Sequence, residues 1–402
     1  MHSNLYQFLI DPISPEAFSR NYWESAHLVI NRNSEPYFEN ILNEGDINTF
    51  LGRKDLYYPF VRLVKNGEEI QKSTYLKNSV ITGIDVIDTD KVFSLYNSGS
   101  TIIIQKAQLS IEKIAKFCEQ LEHELNFSLS ANLYITPKNS KGFNPHYDTH
   151  DVFILQISGK KYWHLYNSAI TLPLSHQPLS KIDSENYLDV DADSKIELSP
   201  GDLIYIPRGC VHNAFTKDSD SVHITLGAFP HKRIELFKKM LEKAETQIEF
   251  RKYLPTKLSA QAEREFFIEN FKTVIKAFID DFSINELLSL FENNFLAERF
   301  PNNKSRFLSN KNLNDIGLET LLITKENLSF KLDIQNNEYL SLRFFDKEMK
   351  FPIFIEPSLK SIINSSQIKI RDIGGFIDDE SKIVLAKRLL LEGFLNIAEN
   401  GI

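Results

Sequence analysis

Two cysteines, Cys118 and Cys210, among 402 residues cannot build a disulfide framework, so a reducing compartment is the simpler expectation. No run approaches 18 uncharged apolar residues. The amino terminus, MHSNLYQFLIDPISPEAF, has neither a basic lead nor a sustained apolar stretch. Both absences speak for a cytoplasmic protein without a membrane partner. A basic excess is missing as well: with a formal net charge of -8, nucleic acid is not expected as a direct ligand, whereas a basic protein or peptide suits an acidic surface. Internal repeats and low-complexity tracts are also absent. The hydrophobic share of 42% and charged share of 25% are those of a folded protein with room for two or three domains.

What the chain does carry is a run at residues 144–166, NPHYDTHDVFILQISGKKYWHLY, and a distant echo at residues 207–213, PRGCVHN. Side chains alternate faces along a β-strand, so His146 and Asp148 point the same way and aim two ligands at one spot. The strand then stays apolar on both faces through Val152, Phe153, Ile154 and Leu155, as expected where one face lines a barrel and the other packs beneath a second layer. After a turn at Ser158 and Gly159, a second strand over 161–166 is expected to return alongside the first. A two-residue loop puts Lys161 opposite Gln156 on the inward face and Lys160 outside, while a bulge exchanges the two lysines. An inward lysine calls for a nearby anion, because a buried unpaired ammonium is unfavourable; the bland alternative is a lysine that reaches solvent.

The third ligand candidate is His212, which lies 66 residues beyond His146, after a strand over 202–206 and the turn Pro207, Arg208, Gly209. Two imidazoles and one carboxylate on one face of a metal leave the opposite positions open for a cosubstrate and dioxygen, the arrangement of non-haem Fe(II) oxygenases. By parity His150 shares the inward face, but a fourth protein ligand would close a needed position, so it reads either as cavity wall or as a residue standing behind the ligands, and Asp151 as facing away. His164, His176 and His231 lack partner spacing. His223 is balanced between orienting a ligand and serving as a hydrogen-bonded barrel histidine, and Cys118, Cys210, Phe153 and Trp163 read as packing.

These motifs, with ANLYITP at 131–137 and LSPGDLIYIPRGCVHNAF at 198–215, resemble the Jumonji-C, cupin-like ribosomal oxygenases over most of the chain. That family comprises Fe(II)- and 2-oxoglutarate-dependent protein hydroxylases. The resemblance implies that His146, Asp148 and His212 hold the iron and that Lys161 pairs with the distal carboxylate of 2-oxoglutarate. It assigns Asn132, Tyr134 and Thr225 to the cosubstrate pocket, with Gly227 a departure where some members carry a hydroxyl residue. The implied fold is α+β: a double-stranded β-helix (Jumonji-C/cupin) barrel, a helical dimerisation segment, and a winged-helix-like C-terminal domain. The implied reaction takes Fe(II), 2-oxoglutarate and dioxygen, hydroxylates a side chain of a ribosomal protein or a ribosomally made precursor peptide, and releases succinate and CO2. Demethylation is open to the same chemistry, since a hydroxylated N-methyl group is released.

The remaining segments fit that frame. Ser14, Pro15 and Glu16 open a helix as N-cap, first position and first-turn acid, and residues 27–32 form an extended piece suited to the barrel's sheet. Residues 60–64 and 100–104 read as strands, and 110–125 as a helix whose apolar stripe (Ile111, Ile114, Ala115, Cys118, Leu121, Leu125) covers the barrel. Residues 132–229 read as nearly all strand and turn, completing a first domain at 1–229. Helical periodicity over 234–251, 259–281 and 284–295 defines a second domain, 230–302, with little of its own to pack on, which suits pairing in a homodimer. In the third domain, 303–402, a strand at 368–370, a helix at 379–392 ended by Gly393, and a strand at 394–397 are expected. That helix mixes Asp379 and Glu380 with Lys382, Lys387 and Arg388, so a protein contact is favoured over DNA. Two rival readings are a metal- or metabolite-sensing winged-helix DNA-binding regulator with a non-catalytic barrel, and a zinc-loaded barrel acting as hydrolase or isomerase.

Overall fold

In the computed structural model, which describes residues 4–398 apart from 33, 79–82, 168–169, 257–258, 300–305, 326 and 336–337, the alternation of apolar side chains sets the layers. The chain divides into two units, Met1–Pro230 and His231–Ile402. Helices of the first are α1 (Leu5–Ile10), α2 (Pro15–Asn21), α3 (Glu44–Leu51), α4 (Thr89–Asn97), α5 (Glu112–Leu125) and α6 (Lys181–Glu185). Its strands are β1 (Leu28–Ile30), β2 (Val61–Lys65), β3 (Glu68–Glu69), β4 (Leu76–Asn78), β5 (Asp85–Ile87), β6 (Thr101–Ile104), β7 (Ser128–Thr136), β8 (Asp151–Gly159), β9 (Lys161–Tyr166), β10 (Ser194–Leu198), β11 (Leu203–Ile206), β12 (Val211–Phe215) and β13 (Ser221–Phe229).

A large sheet in the order β1-β11-β8-β13-β7-β6-β2-β3 faces a smaller one, β10-β9-β12. Each central strand is buried on both sides, and the two sides go to different cores. Phe153 and Leu155 of β8, with Leu203 and Tyr205 of β11, join the core formed with the helices, among them Phe18 of α2 and Ile114, Phe117 and Leu121 of α5. Their neighbours Val152, Ile154, Ile204 and Ile206 pack instead with Trp163, Leu165 and Leu198, between the sheets. Helix α2 starts as its caps dictate, with Ser14 Oγ accepting from Ala17 N–H and Pro15 at the first position. Cys118 is buried on the α5 stripe.

Two sequence expectations give way here. Strand β9 does not return along β8: the edges of β8 are taken by β11 and β13, and β9 pairs with β10 and β12 of the other sheet. The departure is made at Gly159, where φ is +61° and a Cβ would run into the carbonyl oxygen of Asp220, so the chain leaves the large sheet there. The stretch expected to be strand and turn also holds helix α6, capped by Ser180, whose Oγ accepts from Asp183 N–H.

The second unit contains α7 (Arg233–Glu245), α8 (Gln261–Asp280), α9 (Ile284–Ala297), α10 (Arg306–Lys311), α11 (Glu356–Ile363) and α12 (Asp379–Glu392). Its strands are β14 (Leu321–Thr324), β15 (Lys331–Gln335), β16 (Tyr339–Phe344), β17 (Lys347–Pro352), β18 (Gln367–Lys369) and β19 (Leu395–Ile397). They form two sheets, β18-β14-β19 and β15-β16-β17. Helix α12 begins at Asp378, whose carboxylate accepts from Ser381 N–H, and stops at Gly393 in the left-handed region, φ +83°. Its Leu385, Leu389 and Leu390 share a core with Leu340, Leu342 and Phe344 of β16. Helix α8, by contrast, buries none of its described residues.

Candidate metal centre and cosubstrate cavity

His146 and His212 face each other as an isolated antiparallel pair: each backbone N–H donates to the other's carbonyl, at 3.0 and 2.7 Å. The ligand pair expected at the head of a regular strand thus precedes β8, which begins only at Asp151. Asp148 is held where it is by Gly209 N–H, which donates to its carbonyl at 3.0 Å. The ligand atoms of His146, Asp148 and His212 all lie within 4.8 Å of one another. His212 Nε2 is 3.8 Å from Asp148 Oδ2, and the two imidazole rings are 4.6 Å apart.

Each imidazole is oriented by a local contact. Nδ1 of His146 lies 2.8 Å from the Asn144 carbonyl, and Nδ1 of His212 lies 3.0 Å from that of Cys210. With Nδ1–H donating to a carbonyl, Nε2 keeps the lone pair a metal requires. Burial, aided by His146, lowers the His212 pKa to about 4, which keeps the ring neutral at neutral pH. Burial pushes the Asp148 carboxyl the other way, but His146 and His212 outweigh it and hold the group below its usual range. Two imidazoles and one carboxylate, with their ligand atoms converging, match the donor set of a divalent first-row metal such as Fe(II).

The three open onto a cavity of about 240 Å3 between the sheets. Its walls come from both: Tyr134 and Thr136 of β7, Val152 and Ile154 of β8, Lys161 and Trp163 of β9, and His223 and Thr225 of β13. Lys161 is 2% exposed and donates from Nζ to Thr136 Oγ1 at 2.8 Å. Burial lowers its pKa to about 7. Among the described residues no carboxylate pairs with it, so the cavity holds a cationic group in want of an anion. Lys160 points outward to Glu197 at 2.5 Å. Two more polar atoms in the walls, Trp163 Nε1 and His223 Nδ1, are buried without a hydrogen-bond partner in the chain. His223 stacks on Tyr134 at 4.8 Å with the rings nearly parallel.

Of the residues singled out in the sequence, His146, Asp148, His212, Lys161, Tyr134 and Thr225 all border this cavity. Asn132 does not: its Oδ1 accepts from Lys106 N–H at 3.0 Å. His150 is no cavity wall either, but stacks on Phe229 at 4.5 Å and lies over Gly227. The absence of a side chain at Gly227 has a local reason, since a Cβ there would sit 2.7 Å from the His150 ring. Burial pushes the Cys210 thiol up to about 11, so it is no thiolate ligand. Thr136 went unassigned from sequence and Trp163 was read only as packing, although strand parity puts Thr136 with Tyr134 and Trp163 with Lys161; Trp163 both packs between the sheets and lines the cavity.

Residues 104–236 match the JmjC domain family. Over 316 residues, 74% of this chain, the sequence is 27% identical to the bifunctional lysine-specific demethylase and histidyl-hydroxylase NO66 of Aedes aegypti, covering 48% of that protein. It is 26% identical to ribosomal oxygenase 1 of Gallus gallus, covering 74% of this chain and 51% of the other. The chain thus spans about half the length of the curated relatives it matches. Among solved structures, the ribosomal oxygenase YcfD of Escherichia coli has the same fold, with a TM-score of 0.53 at 14% identity over 96% of this chain and 98% of that one. YcfD has also been solved in complex with cobalt and 2-oxoglutarate.

Proposed function

From the premise that residues 104–236 form a JmjC domain, we propose that the protein is an Fe(II)- and 2-oxoglutarate-dependent oxygenase that hydroxylates a side chain of a protein or peptide, releasing succinate and CO2. The observation that carries this reading is the convergence of His146, Asp148 and His212 on a cavity that also buries the unpaired Lys161. The names of the relatives, which include a ribosomal oxygenase and a histidyl-hydroxylase, support a ribosomal or other protein substrate.

His146, Asp148 and His212 would hold the iron, leaving three positions for cosubstrate and dioxygen. When bound, iron and 2-oxoglutarate together supply the oxidising power for an unactivated C–H bond. The chain's own part is binding and shielding. Lys161, oriented by Thr136, would take the distal carboxylate, and Tyr134 and Thr225 line the same space. Val152, Ile154 and Trp163 keep the cavity apolar, which strengthens the lysine–carboxylate attraction and excludes water.

The partner surface is read as a homodimer contact on the helical segment. Helix α8 buries none of its described residues, and Phe237 and Leu241 of α7 with Phe266 of α8 are 61%, 64% and 76% exposed. Apolar faces of that extent on one segment suit burial against a second copy of the chain. The sheet β18-β14-β19 with α12 is compatible with a winged-helix-like domain serving a protein contact, and a cytoplasmic setting accords with the two free thiols.

The test needs no substrate. Fe(II) and 2-oxoglutarate added without oxygen to metal-free protein should give the visible metal-to-ligand charge-transfer band of a chelated 2-oxo acid. Asp148→Ala should abolish it. A folded wild type that gives no band sinks the oxygenase reading.

A further inference from the structure

The acid three residues beyond Asp148 has no place among the metal ligands, yet it is one of the most fully buried charges in the unit. Asp151 is 3% exposed and sits on the face of β8 opposite Val152, so it points away from the cavity. Its carboxylate accepts two hydrogen bonds. One comes from the backbone N–H of Arg208 to Oδ1 at 3.0 Å, the other from the Tyr205 hydroxyl to Oδ2 at 2.5 Å.

Both donors belong to the segment that leads into His212. Tyr205 is on β11, and its own oxygen accepts from Glu24 N–H at 2.9 Å; Arg208 lies in the turn before β12, its guanidinium 2.6 Å from Glu24. Next to these bonds run the two backbone ties between the ligand-bearing segments, Gly209 N–H to the Asp148 carbonyl and the His146–His212 pair. A carboxylate here accepts from both sides at once, whereas an amide would set an N–H against one of the two donors and leave a buried polar group unmatched. Burying the charge is tolerable because both bonds to it are charge-assisted.

We propose that Asp151 is a positioning residue for the metal centre: it locks the loop carrying Asp148 to the turn preceding His212 and thereby sets the spacing of the ligands. The inference rests on the metal reading of His146, Asp148 and His212. It adds that the geometry of those three depends on a fourth, non-ligating acid.

The experiment is an anaerobic Co(II) titration of full-length wild type, Asp148→Ala, Asp151→Asn and Tyr205→Phe, following the ligand-field absorption, with circular dichroism on each. Asp151→Asn should remain folded, bind Co(II) roughly 10- to 100-fold more weakly and show an altered ligand-field band. Tyr205→Phe, which removes one of the two donors, should weaken binding by a smaller factor. A merely structural acid would lower the melting temperature and leave the Kd and the band of the folded protein untouched. Wild-type Kd and band in Asp151→Asn therefore overturn the proposal. Should Asp151→Asn fail to fold, Tyr205→Phe decides: a weaker Kd supports the role and an unchanged one overturns it. Binding by wild type that is lost in Asp148→Ala upholds the metal site whatever Asp151 does. A wild type that binds no Co(II) overturns both.

Discussion

Replacing Lys161 by methionine, similar in length but uncharged, should make the ligand-free protein more stable and the cosubstrate complex weaker. Burial lowers the lysine's pKa from the ordinary 10.5 to about 7, so carrying its charge in the empty cavity is unfavourable by about 5 kcal/mol, at about 1.4 kcal/mol per pH unit. The substitution also removes the hydrogen bond to Thr136, worth about 1 kcal/mol. Water entry and local relaxation around the ammonium reduce the first figure, which leaves a net gain on the order of 1–3 kcal/mol. The sign with pH follows from a folded-state pKa that lies below the unfolded one. Below about pH 7 the amine is charged in both states and wild type bears the full penalty. As pH rises from about 7 to 10.5 the folded amine gives up its proton first, and the penalty fades. Urea unfolding without metal or cosubstrate should show the variant's advantage near pH 6.5 and its loss by roughly 3 kcal/mol, at most, near pH 9.5. The same variant should bind 2-oxoglutarate roughly 10- to 100-fold more weakly, for want of one charge-assisted pair. A variant less stable than wild type near pH 6.5, or a gap that does not change with pH, refutes the picture of an unpaired buried cation.

Other positions yield sharper steric or surface tests. Gly159→Ala puts a Cβ against the Asp220 carbonyl at a φ of +61°, and should destabilise the protein on the order of 3 kcal/mol in chemical denaturation; a loss below 1 kcal/mol would mean that the turn is not the constraint described. Gly227→Ala, with its Cβ 2.7 Å from His150, should displace that ring from Phe229 at about 1 kcal/mol, read as a shift of the His150 ring-proton resonances, while Co(II) binding stays within about twofold of wild type. Phe271→Glu combined with Ile275→Glu on α8 should halve the mass seen by light scattering; an unchanged mass places the partner surface elsewhere.

Local features were the legible ones. The Ser14–Pro15 start of α2, the apolar stripe of α5 and the stop of α12 at Gly393 are written in caps and periodicity that depend on neighbours within a turn or two. The two-sided apolar character of β8 likewise announced a strand between two layers. Strand pairing was not legible. The Ser158–Gly159 turn looks like a hairpin, yet β8 has β11 and β13 at its edges, both brought there from far along the chain. Asn132 shares a strand face with Tyr134 and still is not among the residues lining the cavity; its Oδ1 accepts from the Lys106 backbone N–H.

The sequence by itself determined which groups were available: a His-x-Asp, a later histidine beside a glycine turn, and two adjacent lysines of which only one could face inward. Only the tertiary structure decided which atoms meet. Lys161 reaches the cavity by crossing to the smaller sheet, Thr136 is there to orient it, and Asp151 ties the two ligand-bearing segments from behind. The physical reason is that caps, turns and periodicity act over a few residues, whereas a buried charge finds its partner only when distant strands close around it.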